Sequence, residues 1–447
     1  MLRRSLLCVA PSTRLWTRRF HALGINADLV ERLRVLGLER PTPAQRKAVP
    51  LIQRGETDVV IAAETGGGKT LAYLLPVLDA LHHHPLSLQQ IHRPVVLIMT
   101  TSQELVGQIL RVLRDVDPEV ARVAAALSST NQLLPHRVCP LLVATPKALL
   151  RATKPKDFAF TRHLIVDEAD MLLGGGFERD TKQIIATIRN QPLKKAELNQ
   201  WELHGDESRD LRPEEIADDA RQTIFSAATI PNYGKRSVHE FIQYKFPNAQ
   251  FADFHRTLPR LDVAVHRLED HAKSDAPEDF EAARMELLMQ ILRAEPAGNT
   301  LIFANSIDSA DALHQYLIEK QGIDAMLYHK EVSREKRQSI LEALQNPDAN
   351  AVVVCTDIAA RGLDTTTVRH VVQYEFANDV VSYIHRIGRT ARAGTTGKVS
   401  SIVSEHNSLV LSKIEEAGGD SLNGAFSRKR SLRKKVKKAR RDARSRS

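Results

Sequence analysis

The chain has 447 residues, 43% hydrophobic and 26% charged, with 63 Lys and Arg against 54 Asp and Glu for a formal net charge of +9. This composition excludes a disordered or collagen-like chain, and the length suffices for two or three domains with buried cores. Apolar runs such as residues 95–99 are far shorter than the roughly 20 residues of a membrane-spanning helix, and Cys8, Cys139 and Cys355 are too isolated for a disulfide framework or zinc cluster.

The charge sits at the ends. The 27 residues before Asp28 hold five arginines and no acid, and residues 428–447 hold twelve Lys or Arg and one acid. Between them 46 bases face 53 acids, a net of −7. Residues 1–19, acid-free and with Leu2, Leu6 and Val9 on one helical face, resemble a mitochondrial targeting segment. Residues 426–447 read as a disordered, self-repelling basic tail that either binds RNA or serves as a nuclear or nucleolar address.

Short β-branched runs alternate with segments of helical period at residues 58–63, 95–99, 141–144, 163–166 and 223–226, and again at 300–303, 351–355, 370–374 and 400–403. This is the alternation of a parallel α/β sheet, repeated as two tandem domains over 20–255 and 263–425. The joint is a linker at 256–262, which lacks a period and contains Pro259. Between about 191 and 221 lies an acidic insertion: residues 196–220 carry nine acids and two arginines, which reads as a solvated loop. His82, His83 and His84 read as a polar loop, because adjacent positions do not converge on one metal.

The strand ending at Ala63 is followed by Glu64-Thr65-Gly66-Gly67-Gly68-Lys69-Thr70 and an apolar helical pattern from Leu71. Glycines let backbone amides wrap phosphates, Lys69 reaches the β- and γ-phosphates, and the Thr70 hydroxyl offers a magnesium ligand. The generic pattern expects glycine where Ala63 stands. A later apolar run at 163–166 ends in Asp167-Glu168-Ala169-Asp170. Asp167 suits a nucleotide-bound Mg2+, and Glu168 beside it can orient or deprotonate water.

With these motifs in this order the chain resembles the DEAD-box RNA helicases of helicase superfamily 2, from about Phe20 to Ser404. The resemblance implies two RecA-like domains, each a parallel sheet flanked by helices, with a cleft between them. Residues 37–45 (Gly-Leu-Glu-Arg-Pro-Thr-Pro-Ala-Gln) resemble the family's adenine-reading motif, which assigns Gln45 and the upstream aromatic Phe20 to ATP. Residues 355–364 and 383–392 match the family's fifth and sixth motifs. By that resemblance Arg389 and Arg392 are arginine fingers on the γ-phosphate, Asp364 touches the ribose, and the ATPase site comprises Lys69, Thr70, Asp167, Glu168, Arg389 and Arg392, with Thr65, Gly66, Gly67 and Gly68 on the nucleotide.

Coupling between domains falls by resemblance on Asp170, His385, Arg386, Ala227 and Thr229. Ala227-Ala228-Thr229 aligns with the family's Ser-Ala-Thr; Ser226, one residue earlier on a strand, is expected to face the other way. RNA contacts are implied for Ser102, Thr145, Arg337, Thr356 and Gly362. Arg334 stands where the family has Gln. Ser102-Gln103-Glu104-Leu105 and Thr145-Pro146-Lys147-Ala148 depart from Thr-Arg-Glu-Leu and Thr-Pro-Gly-Arg, two arginines being lost and one lysine gained, so the basic tail is expected to supply electrostatic attachment.

The implied activity is an RNA-dependent ATPase, using ATP and Mg2+, that separates short RNA duplexes or remodels ribonucleoprotein without reading base sequence. The implied setting is mitochondrial RNA processing or ribosome assembly, with single-stranded or short duplex RNA and ribosomal ribonucleoprotein as partners, no membrane, and a monomeric protein. The alternative is an ATPase-weak RNA-binding assembly factor that retains the fold. A DNA translocase is disfavoured by the adenine motif.

Overall fold

Alternate residues of each central strand feed opposite cores. Val59 and Ile61 of β1 (Val59–Ala63) pack with one buried cluster and Val60 with another, as in a parallel sheet covered by helices on both faces. The computed structural model describes residues 19–63, 66–84, 86–134, 138–174, 176–190, 221–228, 230, 238–254, 261–270, 277–294, 298–357, 367–391 and 396–416.

The first sheet contains β1, β2 (Val96–Met99), β3 (Ala125–Leu127), β4 (Leu141–Ala144), β5 (His163–Asp167), β6 (Gln222–Ala227) and β7 (Gln250–Phe254), all parallel, in the order β3-β4-β2-β5-β6-β1-β7. One face is covered by α1 (Ala27–Val35), α2 (Pro43–Arg54), α3 (Lys69–His82), α4 (Gln103–Val116) and α5 (Pro118–Val123). The other is covered by α6 (Pro146–Ala152), α7 (Ala169–Gly174), α8 (Glu178–Asn190) and α9 (Val238–Lys245). The second sheet runs β10-β11-β9-β12-β13-β8, again parallel, from β8 (Leu261–Arg267), β9 (Asn299–Ala304), β10 (Ala325–Tyr328), β11 (Val352–Thr356), β12 (Val368–Gln373) and β13 (Gly397–Val403). Its faces take α10 (Pro277–Ala294) and α11 (Ile307–Glu319) on one side, and α12 (Arg334–Gln345), α13 (Val380–Ile387) and a closing helix Ser408–Glu416 on the other. No helix among the described residues is long and apolar enough to cross a membrane.

The nine expected strands are all present. Four more, β3, β7, β8 and β10, are the four sheet edges. β8 starts at Leu261, in register with Gly397, so residues 261 and 262 of the expected linker belong to the second sheet, while 256–260 lie outside the described residues. The histidine triplet diverges: His82 Nε2 meets Asp117 Oδ2 at 2.7 Å, His83 Nδ1 meets Asp79 O at 2.7 Å, and His84 Nδ1 accepts from Leu86 N at 3.2 Å.

The residues expected to form an acidic insertion, a targeting segment and a basic tail lie outside the described residues apart from Arg19 and Arg221 at their borders. At the insertion's border, Arg221 donates to Thr161 O (2.7 Å), Phe158 O (3.2 Å) and Ile188 O near the end of α8. The insertion therefore leaves and rejoins the domain at the start of β6, the end of the sheet away from Asp167.

Candidate active site

The phosphate loop is built by a strand that ends and a helix that begins within a few residues. Gly66 and Gly68 have φ of +83° and +79°, a left-handed backbone that glycine adopts without strain. Gly68 is the N-cap of α3, and a Cβ there would stand 2.4 Å from Gln45 Nε2. Lys69 Nζ donates to Ala63 O at 2.8 Å across the base of the loop. Thr42 Oγ1 donates to Gly67 O (2.8 Å) and Gln45 Nε2 to Gly68 O (3.0 Å), while Gln45 Oε1 accepts from Thr42 N (2.8 Å). Thr42 and Gln45 thus form a reciprocal cap on α2 and clamp the loop at once.

The two residues expected at the adenine are both engaged within the protein. Both ends of the Gln45 amide are occupied by the protein, and the residue is 2% exposed, so reading an adenine edge requires an exchange of partners. Phe20 is likewise 2% exposed and packs in the core with α1 and α2; it presents no free ring face for stacking. Thr65 lies outside the described residues.

The acids follow from the end of β5. Asp167 is its last residue, Glu168 turns the chain with φ +56°, and Asp170 lies in the first turn of α7. Tyr73 Oη donates to Asp167 Oδ2 at 3.0 Å. Burial, with the Glu168 charge next, pushes the Asp167 carboxyl up to about 6, opposed by Ser226, Lys69 and Tyr73. A buried carboxylate beside a second acid and near the Thr70 hydroxyl is a hard-oxygen donor set. A small dication that keeps waters and phosphate oxygens needs only one or two such protein ligands, so Thr70 and Asp167 fit Mg2+.

The strand register reverses the expectation for Ala227 and Ser226. Ser226 pairs with Asp167, so its side chain faces the Asp167 side of the sheet. Its hydroxyl makes no hydrogen bond within 3.5 Å yet lies near enough to oppose the rise at Asp167. Ala227 packs in the opposite core with Val60 and Val166. The parity rule holds, and Ser226 is the residue on the acidic side. Thr229 lies outside the described residues.

The second domain reaches the same acids. His385 Nε2 lies 3.2 Å from Asp170 Oδ2, and Nδ1 lies 3.5 Å from Glu168 Oε2. Arg389 is 4% exposed and donates from Nε to His385 O at 3.1 Å. Arg386 does not cross the cleft, contrary to its expected coupling role. It is 1% exposed and donates to Asp357 Oδ1 (2.6 Å) and Oδ2 (2.8 Å), Asn305 Oδ1 (2.6 Å) and Glu375 O (2.6 Å), all within the second domain. A bidentate guanidinium pair of this kind fixes orientation as well as distance, so Arg386 anchors the helix that presents His385. Arg392 and Asp364 lie outside the described residues.

Among the residues expected to contact RNA, Ser102 caps α4 by accepting from Leu105 N at 3.3 Å, and Thr145 precedes α6 and is 8% exposed, with Lys147 exposed in its first turn. Thr356 ends β11, 8% exposed. Arg337 of α12 forms an ion pair with Glu104 of α4, across the cleft. Gly362 lies outside the described residues. Sequence reasoning left Tyr73, Glu104 and Asp357 without a role. For Tyr73 the signal was a hydroxyl within the apolar run of α3, and for Glu104 an acid retained in a motif that had lost its arginine.

Comparison with known proteins bears on this arrangement. Residues 42–236 match the DEAD/DEAH box helicase family, and residues 283–394 match the helicase conserved C-terminal domain. The chain is 30% identical to DEAD-box ATP-dependent RNA helicase 22 of Arabidopsis thaliana, over 94% of this chain and 84% of that protein. It is 27% identical to ATP-dependent RNA helicase vasa of Drosophila melanogaster, over 91% of this chain and 56% of vasa. In fold it is similar to S. cerevisiae Dbp5 bound to RNA and ADP BeF3 (TM-score 0.67, 20% identity, 91% of this chain and 94% of that chain). It is also similar to Mss116p bound to ssRNA and AMP-PNP (TM-score 0.70, 22% identity, 90% and 77%). Both likenesses are to tandem RecA-like domains. The 30% identity extends over nearly the whole of both proteins, and on that ground the chain belongs to the DEAD-box ATP-dependent RNA helicases, enzymes that hydrolyse ATP.

Proposed function

We propose that this protein binds ATP with Mg2+ on its first domain, hydrolyses it when the second domain closes on the acids, and uses the cycle to separate short RNA duplexes or remodel ribonucleoprotein. The observation that carries the reading is the meeting of His385 with Asp170 and Glu168 at 3.2 and 3.5 Å, at the acids that end β5. Lys69 exchanges the Ala63 carbonyl for phosphate oxygens. Thr70 and Asp167 hold the cation, which when bound supplies charge neutralisation between the phosphates. Glu168, with Oε2 buried and lacking a hydrogen-bond partner, orients the attacking water and takes its proton. Arg389 meets the γ-phosphate; an arginine so supplied is worth about 10³–10⁵ in rate. Turnover therefore waits on closure.

RNA is held through its backbone by Ser102, Thr145, Lys147, Arg337 and Thr356, which position a strand without reading bases. The test is ATP hydrolysis with and without single-stranded RNA: stimulation that disappears in Lys69→Ala and Glu168→Gln supports the reading. Hydrolysis unaffected by those changes and by RNA favours the second reading, an ATPase-weak assembly factor, which is encouraged by Gln103 and Lys147 standing at family arginine and glycine positions. The setting we favour is mitochondrial RNA processing or ribosome assembly by a monomer. Phe20 in the core supports a processing boundary before that residue, and sequencing the N-terminus of the mature protein from fractionated cells tests it against a nuclear or nucleolar address.

A further inference from the structure

The hydroxyl of Tyr73 stands where the two residues assigned to the cation meet. Tyr73 lies on α3, four residues beyond Lys69, and is 0% exposed, packed in the core with Leu74, Ile165 and Ile224. A phenylalanine ring would fill that volume; a buried phenol also needs partners. Its O–H donates to Asp167 Oδ2 at 3.0 Å, and the Thr70 side chain lies beside the phenol oxygen.

The chemistry of the two ligands needs such a group. A threonine hydroxyl ligates a cation through a lone pair, so its single proton must be accepted elsewhere. A carboxylate that offers one oxygen to a cation is fixed by a donor on the other. The phenol meets the second demand as it stands and lies beside Thr70 for the first.

We propose that Tyr73 is a positioning residue for Mg2+, accepting the Thr70 proton and occupying Asp167 Oδ2 so that Thr70 Oγ1 and Asp167 Oδ1 are presented together. The proposal rests on the ATP·Mg2+ reading of the site and adds to it a residue that touches neither nucleotide nor cation. Groups behind metal ligands are typically worth 10–100-fold in metal affinity. The two ligands here are also held by the first turn of a helix and the end of a strand, which puts the expected effect at the lower end.

The test is Tyr73→Phe, which keeps the ring and removes the hydroxyl. Binding of the fluorescent nucleotide N-methylanthraniloyl-ADP to the full chain is titrated over a range of Mg2+ and in EDTA, without RNA. The Mg2+ concentration for half-maximal tightening should rise about tenfold while affinity in EDTA stays within about twofold of wild type. In steady-state hydrolysis, the KM for Mg2+ should rise while kcat at saturating Mg2+ returns to near wild type. An unchanged Mg2+ midpoint overturns the proposal, and so does an equal loss in EDTA, which would mark a packing role. If wild-type binding responds neither to Mg2+ nor to Lys69→Ala, the nucleotide reading fails and the Tyr73 role with it; if wild type responds and Tyr73→Phe matches it, only the Tyr73 role fails.

Discussion

Arg337 of the second domain donates from Nη1 to the carboxylate of Glu104 in the first, joining residues 233 positions apart. Both side chains are largely buried, and Arg337 Nε is buried with no hydrogen-bond partner. The guanidinium thus joins the facing domain through Nη1. Coupling between close charge pairs at an interface begins at about 1.5 kcal/mol, and part-exposure keeps this pair near that lower bound. Glu104→Ala and Arg337→Ala should each lower ATP-dependent RNA affinity about tenfold, the two effects falling short of additivity by about 1–2 kcal/mol in a double-mutant cycle. Fully additive losses, measured by fluorescence anisotropy, would mean that the ion pair has no part in closure.

Ser226 faces Asp167, and Ala227 faces the opposite core. Ser226→Ala should therefore lower RNA unwinding per ATP hydrolysed by about threefold, less than the roughly 1.5–3 kcal/mol of a full hydrogen bond to a charged group, because the hydroxyl lies near Asp167 without bonding to it. Ala227→Ser should cost stability, through a buried hydroxyl without a partner, and leave the ratio of unwinding to hydrolysis alone. Strand-displacement and phosphate-release assays on the same samples separate the two.

The central strands were legible because they are buried on both faces and read as apolar runs, Val59–Ala63 and Leu141–Ala144 among them. The edges were not. β3 is a three-residue Ala-Ala-Leu, and β8 alternates Leu-Asp-Val-Ala-Val-His-Arg with Val263 and Val265 exposed; an edge buries less and signals less. At the site, the residues singled out from contiguous motifs, such as Asp167, Asp170 and His385, could be named from sequence, and the fold brings Asp170 and His385 to 3.2 Å. Partners set by register or by tertiary approach, such as Ser226 with Asp167, Tyr73 with Asp167 and Glu104 with Arg337, needed coordinates. A motif position carries no direction: neighbours on one short helix, His385 and Arg386, bond to different domains.

That divergence is measurable. Arg386→Ala leaves Asp357 without its bidentate partner in a site where Arg386 is 1% exposed. Removing one member of a buried pair costs about 3–5 kcal/mol, which for a domain of this size lowers its melting temperature by about 10 °C. His385→Gln should melt close to wild type while losing RNA-stimulated hydrolysis. Equal melting of the two variants by calorimetry would place Arg386 in coupling after all.

Burial takes the His163 imidazole down to about 4, opposed by the neighbouring Gln222 side chain. The folded state thus holds this histidine neutral, whereas the unfolded chain takes up a proton near pH 6.5. Between those values the unfolded state binds more protons, so stability is full above about 6.5 and falls as pH drops toward 4. Because part of the residue remains accessible, the contribution lost by pH 5 is about 1–2 kcal/mol. Urea unfolding at pH 7.5 and pH 5.0 should show wild type losing that much more than His163→Gln.

The acidic insertion is bracketed by a fixed frame. α8 ends at Asn190, β6 begins at Gln222, and Arg221 between them donates to the carbonyls of Phe158, Thr161 and Ile188. Because the guanidinium reaches Ile188, the two ends lie within a flexible linker of about eight residues. Replacing residues 192–219 by such a linker should leave the domain folded and gain about 1 kcal/mol from the shorter closure. Arg221→Ala should do the reverse, leaving three carbonyls without their donor at about 1–3 kcal/mol each where they are buried. The bracket stands at the start of β6 and the acids stand at the end of β5, opposite ends of parallel neighbours. RNA affinity of the shortened protein should therefore stay within about twofold of wild type at low salt, where a screening effect of the segment's nine acids would be largest. A clear rise in affinity, abolished at high salt, would instead identify the segment as an electrostatic shield over the RNA face.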